Sequence, residues 1–199
     1  MIFFKKQDSN GERLIALLNQ IREAESPDGW ERVTSIAVGG LTDLGFSQSS
    51  PHLLVISSQG RVVIDCQTGE KVARNYDEMD DWFKPQLQLC QGIGPLASEW
   101  IQTCGINGGG LPWRNQFGES IEMLSAFWPV YELYFCSDYQ SPLIEGAASH
   151  CCIIDSDPLI ACGFSWCGHF LVSASNSDLT LWKKQNSNTP TAWAPSSAP

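Results

Sequence analysis

No apolar run in this chain exceeds about eight residues, well short of the ~20 that a bilayer-spanning helix needs. A helical membrane anchor is therefore not expected. Basic side chains nearly vanish from the middle, where residues 76–158 hold only Lys84 and Arg114 against twelve acids. A field of that sign repels phosphate backbones, so nucleic-acid binding is not expected either. Histidine is limited to His52, His150 and His169, which leaves few bases for a cysteine nucleophile. No two cysteines stand in Cys-x-x-Cys spacing, and Cys162-x4-Cys167-x-His169 matches no standard zinc site. No metal, cofactor or catalytic residue is assigned. The opening Met1-Ile-Phe-Phe-Lys-Lys6 places its charges after its apolar residues, the reverse of a secretory leader. A cytoplasmic protein is expected.

What is present points to one β-rich domain. A chain of 199 residues with 43% hydrophobic content buries a real core in a single body. The eight cysteines fall mostly inside apolar, strand-like runs, where reduced thiols pack as small hydrophobes. Net charge is −10, yet residues 1–75 carry eight bases and nine acids, and residues 159–199 two bases and one acid. The acidic excess belongs to the middle. It draws a basic protein partner in faster, or serves only as a solvated surface.

A motif occurs twice: Leu41-Thr-Asp-Leu-Gly-Phe46-Ser47 and Leu159-Ile-Ala-Cys-Gly-Phe164-Ser165. Each copy leads through a polar turn to an apolar run, Leu53-Leu-Val-Ile-Ser-Ser58 or Phe170-Leu-Val-Ser-Ala-Ser175, and then to a third run, Arg61–Asp65 or Asp178–Trp182. The offset reads as 118 before the turn and 117 after it, so one deletion aligns the copies. Ahead of them, Ser9-Asn-Gly-Glu12 has capping-box spacing, and Leu14, Leu17, Leu18 and Ile21 recur at helical spacing until Pro27 and Gly29. A helix is expected over 10–25. Runs 31–38, 41–46, 52–57, 61–66 and 71–75 fit short strands with tight turns.

The segment Leu41 to Arg74, with its Gly-Phe-Ser, its Leu-Leu-Val-Ile-Ser-Ser-Gln-Gly60 and its Thr68-Gly-Glu-Lys71, resembles one blade of the WD40-type β-propeller repeat. Leu159 to Lys184 resembles the first three strands of another. Neither copy carries the Trp-Asp pair, and the upstream Gly-His element is absent. The resemblance implies a mainly β fold of antiparallel, blade-like meander sheets in a degenerate or incomplete propeller, with one N-terminal α-helix. The expected division is a single domain over 1–184, with blade-like units at 31–75 and 159–184, an acidic, glycine-rich middle at 76–158, and a disordered tail at 185–199.

In the middle, Ser120–Leu124 and Val130–Cys136 alternate as strands do, with Phe127-Trp-Pro129 as the bend between them. The triple glycine at 108–110 lacks the Lys-Ser/Thr of a phosphate loop and reads as a structural turn. The sharpest functional candidate is the run Tyr76–Phe83. There Asp77, Glu78, Asp80 and Asp81 steer a basic partner while Trp82 and Phe83 supply contact area, unless the two rings turn inward. Size, charge and class are similar to those of small acidic bacterial immunity proteins, which cover the active site of a basic toxin. That implies a non-enzymatic protein-binding function. The alternatives are a small cytoplasmic hydrolase with its site in the glycine-rich middle, and a module that recruits partners along exposed sheet edges.

Overall fold

The structure is a computed structural model that describes residues 9–77 and 81–185. The expected disordered tail lies outside the described residues beyond Gln185, as does the side chain of Ser9 in the expected capping box. In chain order the elements are α1 (Ser9–Leu18), β1 (Arg22–Glu23), β2 (Trp30–Ala37), β3 (Leu41–Phe46), β4 (His52–Ser57), β5 (Gly60–Asp65) and β6 (Lys71–Asn75). Next come β7 (Phe83–Lys84), β8 (Leu89–Gln91), β9 (Trp100–Gln102), β10 (Cys104–Gly105), β11 (Ser120–Phe127) and β12 (Val130–Cys136). The last are β13 (Cys151–Asp155), β14 (Leu159–Phe164), β15 (Phe170–Ser175) and β16 (Asp178–Lys184).

These strands make four sheets of mainly antiparallel pairing. Sheet I is the meander β3–β6 with β10 added beside β3, and sheet II is β7–β9. Sheet III runs β11-β12-β13-β1, its last pairing parallel, and sheet IV runs β14-β15-β16-β2. The fold is mainly β with one N-terminal helix, as expected.

The sheets stack face to face in the order II, I, IV, III, and α1 covers the far side of III. Alternation along single strands explains the order. On β4, Leu53 and Val55 face sheet IV, where they meet Phe170, Val172 and Leu181, while Leu54 and Ile56 face sheet II and meet Cys90, Leu96 and Ile101. On β15 the same alternation sends Phe170, Val172 and Ala174 toward sheet I and Leu171 toward sheet III. Both strands are apolar on their two faces, Leu53 to Ile56 in one and Phe170 to Val172 in the other, because both faces are covered. Each fully buried Leu, Ile or Phe among them contributes about 1.5–3 kcal/mol of transfer free energy.

Three expectations are corrected by the ladders. First, the helix ends at Leu18, well short of residue 25. Gln20 and Ile21 donate their N–H groups to Leu17 and Leu18 in tightened turns, which drop Ile21 into the core beside Tyr134 and Ile153. Arg22 and Glu23 then pair with Cys152 and Ile153. Backbone donors that a longer helix would use are satisfied on the open edge of β13.

Second, the strand at 30–37 does not belong with 41–75. It pairs with β16, Trp30 opposite Lys184 and Ala37 opposite Asp178, and completes the C-terminal sheet. Third, the repeat needs no deletion. Phe46 pairs with Leu53 and Phe164 with Leu171, Val63 with Leu54 and Leu181 with Val172, so the offset stays at 118 throughout. Even the irregularity recurs, between Leu41 and Asp43 in one copy and between Leu159 and Ala161 in the other. A one-residue slip would exchange the two faces of a strand, and β4 and β15, each packed against a different sheet on either face, do not tolerate it.

Candidate functional site on a projecting hairpin

The expected site at 76–83 is only partly a surface. Asp77 is exposed and its carboxylate accepts a hydrogen bond from the Asn75 amide at 2.8 Å. Asp81 is exposed as well, and Glu78 and Asp80 lie outside the described residues. Trp82 and Phe83 correct the expectation, because they are 8% and 6% exposed and pack against Leu54, Ile56 and Val63 of sheet I. The guanidinium of Arg61 covers the Trp82 ring at 4.1 Å, a cation–π contact that holds the ring inward. These two rings weld sheet II to sheet I and offer no area to a partner.

The aromatic surface is elsewhere. Strands β11 and β12 pair from Ser120↔Cys136 to Leu124↔Glu132, shift register, and close with Phe127↔Val130. Their neighbour β13 ends at Asp155, opposite Leu133. Residues 130–132 therefore overhang the sheet by roughly 10 Å, at ~3.3 Å per residue. On this tip Phe127, Trp128, Val130 and Tyr131 are 66%, 81%, 55% and 48% exposed, around a cis Trp128–Pro129 peptide. Single exposed apolar residues are ordinary, but four within five positions make a patch of the kind that marks an interaction site.

Carboxylates surround the base of the hairpin. Glu132 accepts a hydrogen bond from the Tyr134 hydroxyl at 2.5 Å, Glu122 from Ser141 at 3.1 Å, and Asp155 from Ser173 at 2.5 Å. Hydroxyl donors hold these groups in place without neutralising them. Where β1 leaves β13, a groove of about 300 Å³ is lined by Glu23, Glu25 and Asp155 together with Ile153 and Ile154. Its only ion pair among the described residues is Glu25 with Arg32, at 3.3 Å. No lysine or arginine occurs between Arg114 and Lys183. The hairpin is thus an apolar tip on an acidic base.

The glycine-rich segment is built differently. Gly105 and Gly108 exchange backbone hydrogen bonds, and the Asn107 amide reaches down to the Asp43 carboxylate at 2.9 Å. A side chain at Gly109 would place its Cβ 2.4 Å from the Thr103 carbonyl, so packing demands glycine there. The loop borders a cleft of about 130 Å³ whose walls include Trp113, Met123, Ile160, Cys104 and Cys162. Burial pushes both thiols up to about 12, which keeps them protonated and weakly nucleophilic. No histidine or carboxylate lines the cleft.

His52 begins β4 and contacts the Ser50 hydroxyl at 3.0 Å. His169 sits edge-on to Phe117 at 5.0 Å in the corresponding turn of the second copy, and His150 pairs with Asp138 at 2.9 Å. Among the described residues no three His, Cys, Asp or Glu side chains converge as metal ligands would, and no helix is long and apolar enough to cross a membrane. Neither a protein-family model, nor a curated protein, nor a solved structure matches this chain.

Proposed function

We propose that this chain is a non-enzymatic binding protein that captures a basic protein, as immunity proteins capture a toxin, and that it does so in the cytoplasm. The observation that carries the reading is the hairpin. Its aromatic tip projects beyond the sheet, its base is acidic, and of the three carboxylates lining the groove only Glu25 is ion-paired among the described residues, with Arg32. Long-range attraction brings the partner in and orients it, while Trp128 and its neighbours supply the desolvated contact on which affinity depends. Asp77 and Asp81, beside sheets I and II, add to the net negative charge. The two repeated sheets are read as blades of an incomplete propeller of the WD40 type. Their shared register and the completion of sheet IV by β2 support that reading.

The hydrolase alternative draws less support, because the cleft beside the glycine-rich loop brings no base to either of its thiols. The test is capture from the source cell with the purified protein as bait, at low and at high salt. A single basic protein should be retained at low salt in 1:1 ratio and released by high salt. It should also be lost when Glu132 and Asp155 are changed to their amides. Retention of no basic protein sinks the reading and moves the enzyme alternative forward.

A further inference from the structure

Cys136 on β12 stands directly opposite Cys151 on β13. Opposed residues in an antiparallel ladder alternate between hydrogen-bonded pairs and closer, non-hydrogen-bonded pairs whose Cα atoms are ~4.5 Å apart. Ser137 donates its N–H to the His150 carbonyl at 2.9 Å. That makes 137/150 the hydrogen-bonded pair and 136/151 the close one. A Cα separation of ~4.5 Å lies within the range of about 4.4–6.8 Å that a disulfide accepts.

Both side chains leave the sheet on the same face, into the core beneath α1 with Leu18, Ile21 and Tyr134. Cys152, one residue on, points the opposite way, toward Trp30 and Trp182. Among the described residues no other two cysteines face each other across a ladder. All eight are free thiols here.

We infer that Cys136 and Cys151 form a reversible disulfide, with hydrogen peroxide as the oxidant. The Cys151 sulfur attacks the O–O bond, becomes a sulfenic acid and releases one water. The Cys136 sulfur then attacks the sulfenic sulfur, the S–S bond forms, and a second water leaves. Two thiols lose two electrons in all, and one peroxide becomes two waters; a dithiol reductant reverses the step.

Assignment of the attacking sulfur follows from access: Cys151 is 4% exposed and Cys136 0%, so peroxide reaches the Cys151 sulfur first. Burial alone pushes Cys90, Cys104 and Cys162 up to about 12. The pair is covered by Leu18 at the end of α1, by Ile21 and by Leu143 and Ala147, and α1, ten residues long, is marginal on its own in water. Local opening of α1 admits a molecule as small as peroxide without global unfolding.

The experiment treats the intact protein with peroxide, alkylates the remaining thiols, and maps the peptides without reduction. Chymotrypsin is required, because trypsin has no cleavage site between Arg114 and Lys183. The expected result is one Cys136–Cys151 cross-linked peptide in the wild type and in Cys152→Ser, absent after Cys151→Ser. Cys136→Ser should instead accumulate a sulfenic acid at Cys151 that dimedone traps. A bridge that survives Cys151→Ser, a link between other cysteines, or full alkylation of both thiols after peroxide overturns the assignment. The wild-type map decides the matter even if a variant fails to fold.

Discussion

Replacing Trp128 by alanine removes the largest side chain of the hairpin tip. A tryptophan offers about 150–250 Å² for burial, and Trp128 is 81% exposed in the free protein. About 120–200 Å² is then available to a partner, a gross gain of about 3–5 kcal/mol at ~25 cal/mol per Å². Side-chain ordering and incomplete coverage reduce that, leaving about 2 kcal/mol, or a ~30-fold rise in Kd. The free protein should barely change, within about 0.5 kcal/mol, because the ring touches little of its own fold.

Trp82→Ala is the counterpart. That ring is 8% exposed and packs in the core between sheets I and II, so its loss should cost about 3–5 kcal/mol of stability. Urea unfolding of the two free variants, and calorimetric titration of Trp128→Ala with the captured partner, give the comparison. An unchanged Kd for Trp128→Ala, or a stability loss above about 1 kcal/mol in that variant, would refute the placement of the binding surface on the tip.

Three further outcomes are expected. Gly45→Ala should destabilise the fold by about 3 kcal/mol in urea, because its Cβ would lie 2.2 Å from the Gln102 carbonyl where sheets I and II meet; a loss under about 0.5 kcal/mol would show that the strands separate freely. Burial raises the Asp43 carboxyl in the folded state, so the folded chain holds that proton more tightly than the unfolded one and stability falls as pH climbs through the raised value. Asp43→Asn should therefore gain on the wild type at pH 7 relative to pH 3, and an equal difference at both pH values counts against this. Burial lowers His169 below the ordinary imidazole value of 6.5, so its contribution is complete above that pH and is lost as pH falls. Unfolding midpoints between pH 7.5 and 5 should drop for the wild type and flatten in His169→Gln; parallel curves contradict it.

The strands between 30 and 75 are legible to within a residue or two, because alternation and glycine turns act locally. Partnership is not local. Nothing in Trp30–Ala37 tells it to leave Leu41 for Lys184, a choice made by the edge that β16 leaves open. The repeat was visible, but its polar turn hides one residue of register, since Leu53-Leu-Val and Phe170-Leu-Val look alike while the ladders align Leu53 with Leu171. At the site, composition located acid and aromatic residues together, yet both 82–83 and 127–131 answer that description. What separates them is the direction of the rings, which Arg61 and sheet I decide for Trp82. The available signal for the tip was an apolar run at a bend, where turn-forming polar residues are the rule.

The pairing of β2 with β16 joins segments roughly 150 residues apart in sequence, and contacts so distant come late and slowly in folding. During synthesis, β2 emerges early and must wait, with Val33 and Ile36 uncovered, until the strand through Lys184 has left the ribosome. The first half of the chain is therefore the part that needs protection from aggregation. A fusion or truncation that delays or removes β16 harms the beginning of the protein as much as its end.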